Sequence, residues 1–267
     1  MKLRIDVDAT DGAARTGSIA TARGVLPTPL FMPVGTRAAV KTLDTADLES
    51  LGIPLVLGNT YHLMLRPGAD VVAAMGGLHR FMDWSGHLLT DSGGYQIFSL
   101  EPKVTDDGAT FRSTYDGSTH HLTPEGAVEV QTLLGADIQM VLDVCPALPS
   151  SPAVVQAAVD RTAHWAQRAR RSFLAGAEAR AGRGLHQSQF GISQGGIDAS
   201  LRAESAQRTV EVGFDGYAIG GLSVGETRQE MLPALAAAIE HLPDDQPRYL
   251  MGVGDPAAIV EAVGLGV

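Results

Sequence analysis

Apolar and polar residues alternate at the start of the chain, with Leu3, Ile5 and Val7 set against Arg4, Asp6 and Asp8. Ser18-Ile19-Ala20-Thr21 and Leu30-Phe31-Met32 follow, broken by Gly24, Pro27 and Pro29. A period of two with turn residues between the runs predicts a small antiparallel sheet over residues 1–38. The rhythm then changes. Short apolar runs end in a polar residue or glycine: Leu55–Gly58 at Asn59-Thr60, Leu88–Thr90 at Asp91-Ser92, Ile138–Leu142 at Asp143, Gly191–Ser193 at Gln194, Tyr217–Ile219 at Gly220-Gly221, and Tyr249–Met251 at Gly252-Val253-Gly254. Strand-length apolar runs predict strands buried on both faces.

Helical stretches lie between several of these runs. Thr123-Pro124 starts a helix that Gly135 ends, and Ser151-Pro152 opens an Ala-rich helix reaching Phe173. Further helices are predicted over Ala199–Val212, over Glu226–Leu242, and from Ala257 after Asp255-Pro256. Strand alternating with helix is the pattern of a parallel α/β fold. Asp107-Gly108 and Asp116-Gly117, among Val104, Phe111 and Tyr115, predict a β-hairpin insertion over residues 101–122, and residues 184–189 read as a loop. An open dinucleotide fold requires an early GxGxxG, and the nearest match, Gly252-Val253-Gly254, comes last and lacks the third glycine. Polar residues at the ends of successive strands fit a TIM-type (β/α)8 barrel instead. Six of the eight strands are countable, and the chain stops where a helix hands over to a strand. The expectation is therefore an incomplete barrel over residues 39–267, with residues 1–38 packed on it as an antiparallel sheet.

Composition narrows the class. Of 267 residues, 45% are hydrophobic and 19% charged, which excludes a disordered chain. Cys145 is the single cysteine, so no internal disulfide and no CxxC zinc site can form. A net charge of −10 argues against broad nonspecific binding to nucleic acid. The six arginines from Arg161 to Arg183 form either a solvated helix face or a phosphate-contacting edge. MKLRIDVDAT is no signal peptide, and no apolar run approaches the roughly 20 residues of a membrane span, so a cytoplasmic protein is expected.

Three groups carry candidate chemistry. In Asp91-Ser92-Gly93-Gly94-Tyr95 a carboxylate at a strand end precedes a sharp turn and an aromatic face; the alternative is a capped strand-to-helix turn. Asp143 is a carboxylate directly after three apolar residues and needs a partner if buried. Cys145 beside it lacks an evident activating base and reads as a packing residue. Phe190–Gly196 and Tyr217–Leu222 place Gln194 and the backbone of Gly220 and Gly221 where they can read the edge of a planar heterocycle. His62 has no HxH or HxxxH partner, and His120 and His121 face opposite sides of a strand.

Read together, MPVGTRAAVK, LGNTYHLMLRPG, LTDSGGYQIFSL, FGISQGG, GFDGYAIGGLSVGE and YLMGVGDP resemble the bacterial type of the tRNA-guanine transglycosylase (queuine tRNA-ribosyltransferase) family, from about Gly17 onward. The resemblance implies a glycosyltransferase with a TIM barrel and an N-terminal antiparallel sheet. It implies a homodimer that exchanges guanine at the wobble position of tRNAs with a GUN anticodon for preQ1, on the way to queuosine. By the same resemblance Asp91 is the general acid/base, positioned by Ser92 and Asn59. Asp91, Ser92, Gly93, Gly94, Tyr95, Asp143, Gln194, Gly221, Leu222 and Met251 bind the base. Within that set, Asp143 accepts from guanine N–H groups, Gln194 and the Gly221 N–H donate to O6, and Tyr95 and Met251 sandwich the ring. The Leu222 carbonyl recognises the aminomethyl arm, with Glu226 tuning its peptide. Gly252, Val253, Gly254, Asp255, Pro256, Ala257 and Ala258 match a tRNA-contacting loop.

Two departures stand out. Val144 replaces the family's usual Glu. The aspartate nucleophile and the structural zinc site of the family belong to segments beyond Val267, so no cofactor is expected in these residues, and the chain is expected to be a fragment or inactive alone. The alternative is a non-catalytic subunit that binds base or tRNA beside a full-length partner.

Overall fold

The computed structural model describes residues 3–267. The chain begins with three antiparallel strands, β1 (Ile5–Asp11), β2 (Ala14–Thr21) and β3 (Gly24–Thr28). β4 (Val34–Gly35), α1 (Thr45–Ser50), β5 (Leu55–Gly58), α2 (Thr60–Leu65), α3 (Ala69–Ala74), α4 (Leu78–Met82), β6 (His87–Thr90) and α5 (Gly94–Phe98) come next. An antiparallel meander of β7 (Lys103–Val104), β8 (Ala109–Arg112) and β9 (Thr119–Leu122) leads to α6 (Pro124–Leu134) and β10 (Ile138–Met140). The remainder is α7 (Pro152–Ala175), α8 (Ala177–Gly182), β11 (Ser188–Ser193), α9 (Ala199–Val212), β12 (Gly216–Ile219), α10 (Arg228–Ile239), β13 (Arg248–Leu250) and α11 (Pro256–Gly264).

The large sheet runs in the order β4-β5-β6-β10-β11-β12-β13. Chain order is kept throughout, as in a TIM-type barrel, whereas a doubly wound sheet reverses direction at a switch point. The pairs β4/β5, β5/β6, β6/β10, β11/β12 and β12/β13 are all parallel. Seven strands are present where six were countable. The added strand, β4, is two residues long and follows Pro33, too short to show any period.

Local chemistry explains several helix ends. The Thr123 hydroxyl accepts from the Gly126 N–H at 3.0 Å, Pro124 occupies the first turn, and Gly135 closes α6 in the left-handed region at φ +75°. Asp198 caps α9, which spans the predicted residues. The helix expected from Glu226 begins instead at Arg228. Thr227 and Glu230 form a reciprocal capping box, and the Glu226 carboxylate is taken by the N–H groups of Ser223 and Val224. The segment read as a loop through Gln189 already pairs as β11 from Ser188.

The chain divides into two compact units, residues 31–142 with 168–189, and residues 1–30 with 143–167 and 190–267. In the first, Val56 of β5 and Leu88 of β6 are fully buried in a core with Leu48, Leu63, Val72, Leu78, Trp84 and Leu134. The predicted hairpin is a three-stranded meander whose second turn, not a strand, contains Tyr115. Arg168 grips it: Nε and Nη2 meet both oxygens of Glu125 at 2.8 and 2.7 Å, while Nη1 donates to the carbonyls of Asp106 and Asp107. Arg170 and Arg180 are buried against the Phe173 ring. Half of the six-arginine run is therefore internal structure, neither a solvated face nor a phosphate-binding edge.

In the second unit, β12 packs so closely on β11 that a Cβ on Gly216 would lie 2.4 Å from the Phe190 ring. Arg15 of β2 and Arg248 of β13 both donate to the carbonyl of Gly266, just past α11, at 3.0 and 2.8 Å. The Ile5 N–H reaches the Asp245 carbonyl.

Candidate active site

Four charged or amide side chains singled out in the sequence follow the C-terminal ends of parallel strands. Asn59 follows β5, Asp91 follows β6, Asp143 stands three residues after β10, and Gln194 follows β11. The Gly220-Gly221 pair follows β12, and Met251 follows β13. This is the end at which TIM-type barrels hold their active-site groups.

In the first unit, Asp91 is held by N–H donors. Asn59 Nδ2 donates to Oδ2 at 2.6 Å, and the Thr60 and Gly93 amides donate to Oδ1 at 2.7 and 3.1 Å. The Thr60 hydroxyl donates to the Asp91 carbonyl at 2.5 Å. The Ser92 hydroxyl accepts from the Gly94 N–H at 3.2 Å and so caps the turn into α5. Gly93 takes φ +79° there, and its N–H reaches back to Asp91. The Tyr95 side chain beyond is 60% exposed, leaving a ring face open. Asn59 is buried with Oδ1 unpartnered. His62 bonds the Tyr115 hydroxyl at 2.8 Å, and burial together with the Arg37 charge pushes its pKa down.

In the second unit, Asp143 is 5% exposed and accepts from Gln194 Nε2 at 2.6 Å. Gln194 is itself buried, anchored by its N–H to the Ser205 hydroxyl at 2.8 Å. Its Oε1 has no hydrogen-bond partner and lies over Gly221, where a Cβ would come within 2.1 Å. Gly221 also takes φ +65°, so glycine is required there twice over. The Gln194 amide and the Gly221 N–H lie beside the Cys145 thiol, which burial and the Asp143 charge push up to about 12. A thiol so disposed is no nucleophile at neutral pH.

Sequence reading missed Arg202, the fully buried residue that organises these loops. From the first turns of α9 its Nε donates to the Gly196 carbonyl at 2.7 Å, Nη1 to Gly220 at 2.6 Å and Nη2 to Gly221 at 2.8 Å. Burial lowers its pKa to about 10, which leaves it charged at neutral pH. Nothing in its helical setting announces this; the only cue is an arginine four residues after a helix cap and beside a glycine pair. Glu226 acts on the next peptides in the opposite sense. It accepts from the Ser223 and Val224 N–H groups, and because a trans peptide sets C=O against N–H, the Leu222 carbonyl points away from Glu226. Gly252 lies next to that carbonyl, its Cβ position 3.6 Å from the oxygen. The following loop is largely exposed, and Asp255 caps α11 through the Ala258 N–H at 3.0 Å.

Among the described residues no three or more His, Cys, Asp or Glu side chains stand as a metal set. None of the described helices is long and apolar enough to cross a membrane.

A chain-ordered parallel sheet with carboxylate, amide and glycine groups at its strand ends defines an enzyme of the TIM-barrel class. The family model described as queuine tRNA-ribosyltransferase matches residues 9–267, and the chain belongs to that family of tRNA ribosyltransferases, which are glycosyltransferases. Proteins named queuine tRNA-ribosyltransferase are similar along nearly the whole chain. That of Novosphingobium aromaticivorans is 51% identical over 98% of this chain and 69% of its own length. That of Cereibacter sphaeroides is 51% identical over 100% and 69%, and that of Zymomonas mobilis 47% identical over 100% and 68%.

Proposed function

We propose that these residues form the base-recognising and proton-transferring part of a tRNA-guanine transglycosylase, which exchanges guanine at the wobble position of GUN-anticodon tRNAs for preQ1. The observation that carries this reading is the buried Asp143–Gln194 pair beside the Gly221 amide. An ionised carboxylate only accepts hydrogen bonds, and guanine offers N1–H and the 2-amino group along one edge. Beside that edge is O6, a match for the second Nε2 hydrogen of Gln194 and for the Gly221 N–H. The Tyr95 ring and the Met251 thioether supply faces for the heterocycle. The outward Leu222 carbonyl accepts from an aminomethyl ammonium, which favours preQ1 as the incoming base.

The target nucleotide is turned out of its stack to reach such a site. Asp91 gives a proton to the departing guanine and takes the ring proton of the incoming base, which restores it. The exposed loop from Gly252 to Ala258 contacts tRNA, in a cytoplasmic homodimer. The reading assigns base binding and proton transfer to these residues, and no attack on the ribose.

Two measurements test this. Titration with guanine and adenine should show guanine binding and no adenine binding, with guanine lost in Asp143→Ala. Radiolabelled guanine exchange into unmodified tRNA tests whether a residue present here also attacks the ribose. Incorporation that Asp91→Ala abolishes would mean that a residue present here attacks the ribose, and absence of guanine binding would remove the reading altogether.

A further inference from the structure

Arg202 spends its guanidinium on backbone carbonyls from two different loops. Gly196 belongs to the loop after β11, and Gly220 and Gly221 to the loop after β12. Only a planar fork with several fixed donors satisfies three carbonyls at 2.6–2.8 Å from one side chain. The peptide joining Gly220 to Gly221 is trans, so its N–H is opposed to its C=O. With the Gly220 carbonyl on Nη1, the Gly221 N–H faces away from Arg202, to the side of Cys145 and Gln194. Neither glycine carries a side chain that resists a peptide flip, and Gly221 already sits at φ +65°. Without the guanidinium, this peptide is free to present its carbonyl instead of its N–H.

We propose that Arg202 is a positioning residue that fixes the Gly221 N–H as a donor and thereby selects a 6-oxo over a 6-amino purine; this rests on the base-recognition reading above. A 6-oxo purine meets the fixed donor with an acceptor. A 6-amino purine meets it with another donor, and the arrangement leaves a buried N–H unpaired.

The test compares guanine and 2,6-diaminopurine, by competition, on the 267-residue chain and its Arg202→Met and Arg202→Lys variants. In Arg202→Met, guanine affinity should fall by about tenfold or more while diaminopurine is unchanged or improved, so the ratio narrows by a similar factor. Arg202→Lys keeps the charge but not the fork, and should narrow the ratio too. A purely structural role weakens both bases equally; an unchanged ratio in a variant that still melts cooperatively overturns the proposal. If the wild-type chain binds no guanine, the base-recognition reading fails instead. Where a variant is too unstable or binds too weakly to give a ratio, amide exchange in the wild-type chain decides. Saturating guanine should slow exchange of the Gly221 N–H at least about tenfold. Guanine bound with that amide unaffected overturns the proposal.

Discussion

The Gln194 amide donates to Asp143 Oδ2 at 2.6 Å and leaves its own oxygen buried without a partner. In the proposed complex the Asp143 carboxylate accepts from the N–H groups of the base. Asp143→Asn replaces one acceptor oxygen by a second donor. Guanine affinity measured by calorimetry should fall about tenfold or more, with the melting transition little changed. Unchanged affinity would remove Asp143 from base recognition.

Cys145 should resist alkylation. With its pKa near 12, the thiolate is about one part in 10⁴ at pH 8. Iodoacetamide should label the folded chain far more slowly than the unfolded chain, with the rate still rising above pH 9. The same shift has a stability consequence. The folded state keeps the proton longer than the unfolded state, so this contribution is complete below about pH 9 and is lost as pH rises toward 12. Fast labelling at pH 7 would contradict both expectations.

The Arg168–Glu125 pair should give a modest acid-sensitive contribution. Hydrogen bonding to Arg168 holds the Glu125 carboxyl below its ordinary range. Its stabilisation is therefore present above the usual pKa near 4.5 and is lost as pH falls through the lowered value. The pair is partly exposed, so Arg168→Ala should cost about 1 kcal/mol or less from charge pairing. Additional loosening should be confined to the meander that Arg168 holds by carbonyl contacts. Chemical denaturation at pH 7 and pH 3 checks both, and an equal loss at the two pH values would deny the charge term.

Gly216→Ala should destabilise the chain by about 1–3 kcal/mol, as overpacking of a tight core does. The added methyl would meet the Phe190 ring. Pairing it with Phe190→Leu should recover part of the loss, and a strictly additive double variant would show that the ring is not the obstacle.

Much of this architecture was legible in the sequence because its signals are local. Thr123-Pro124 with Gly135, and Asp198 with Gly213, mark two helices through side chain-to-backbone bonds and left-handed glycines that need no tertiary partner. The apolar runs mark the strands buried on both faces, and a polar residue or glycine follows each of them. What escaped was non-local. β4 exists through pairing with β5, and its two residues carry no pattern of their own. The support of Asp91 by Thr60 spans 31 residues. Arg202 reads as one more polar position on a helix, because its partners are backbone carbonyls, which leave no side-chain trace in sequence. Arg168, Arg170 and Arg180 mislead in the opposite direction: a run of like charges invites a solvent-facing reading, yet these three are spent on Glu125 and Phe173.

Arg15 and Arg248 converge on the Gly266 carbonyl, one from the second strand of the chain and the other from the last. This clasp ties α11 to the β1–β2 hairpin: releasing Gly266 leaves two guanidiniums without that acceptor, and releasing the hairpin strips one of the two donors from it. Protease cleavage between β1 and β2 should accordingly loosen α11, more than 200 residues away along the chain, before the strands between them are disturbed.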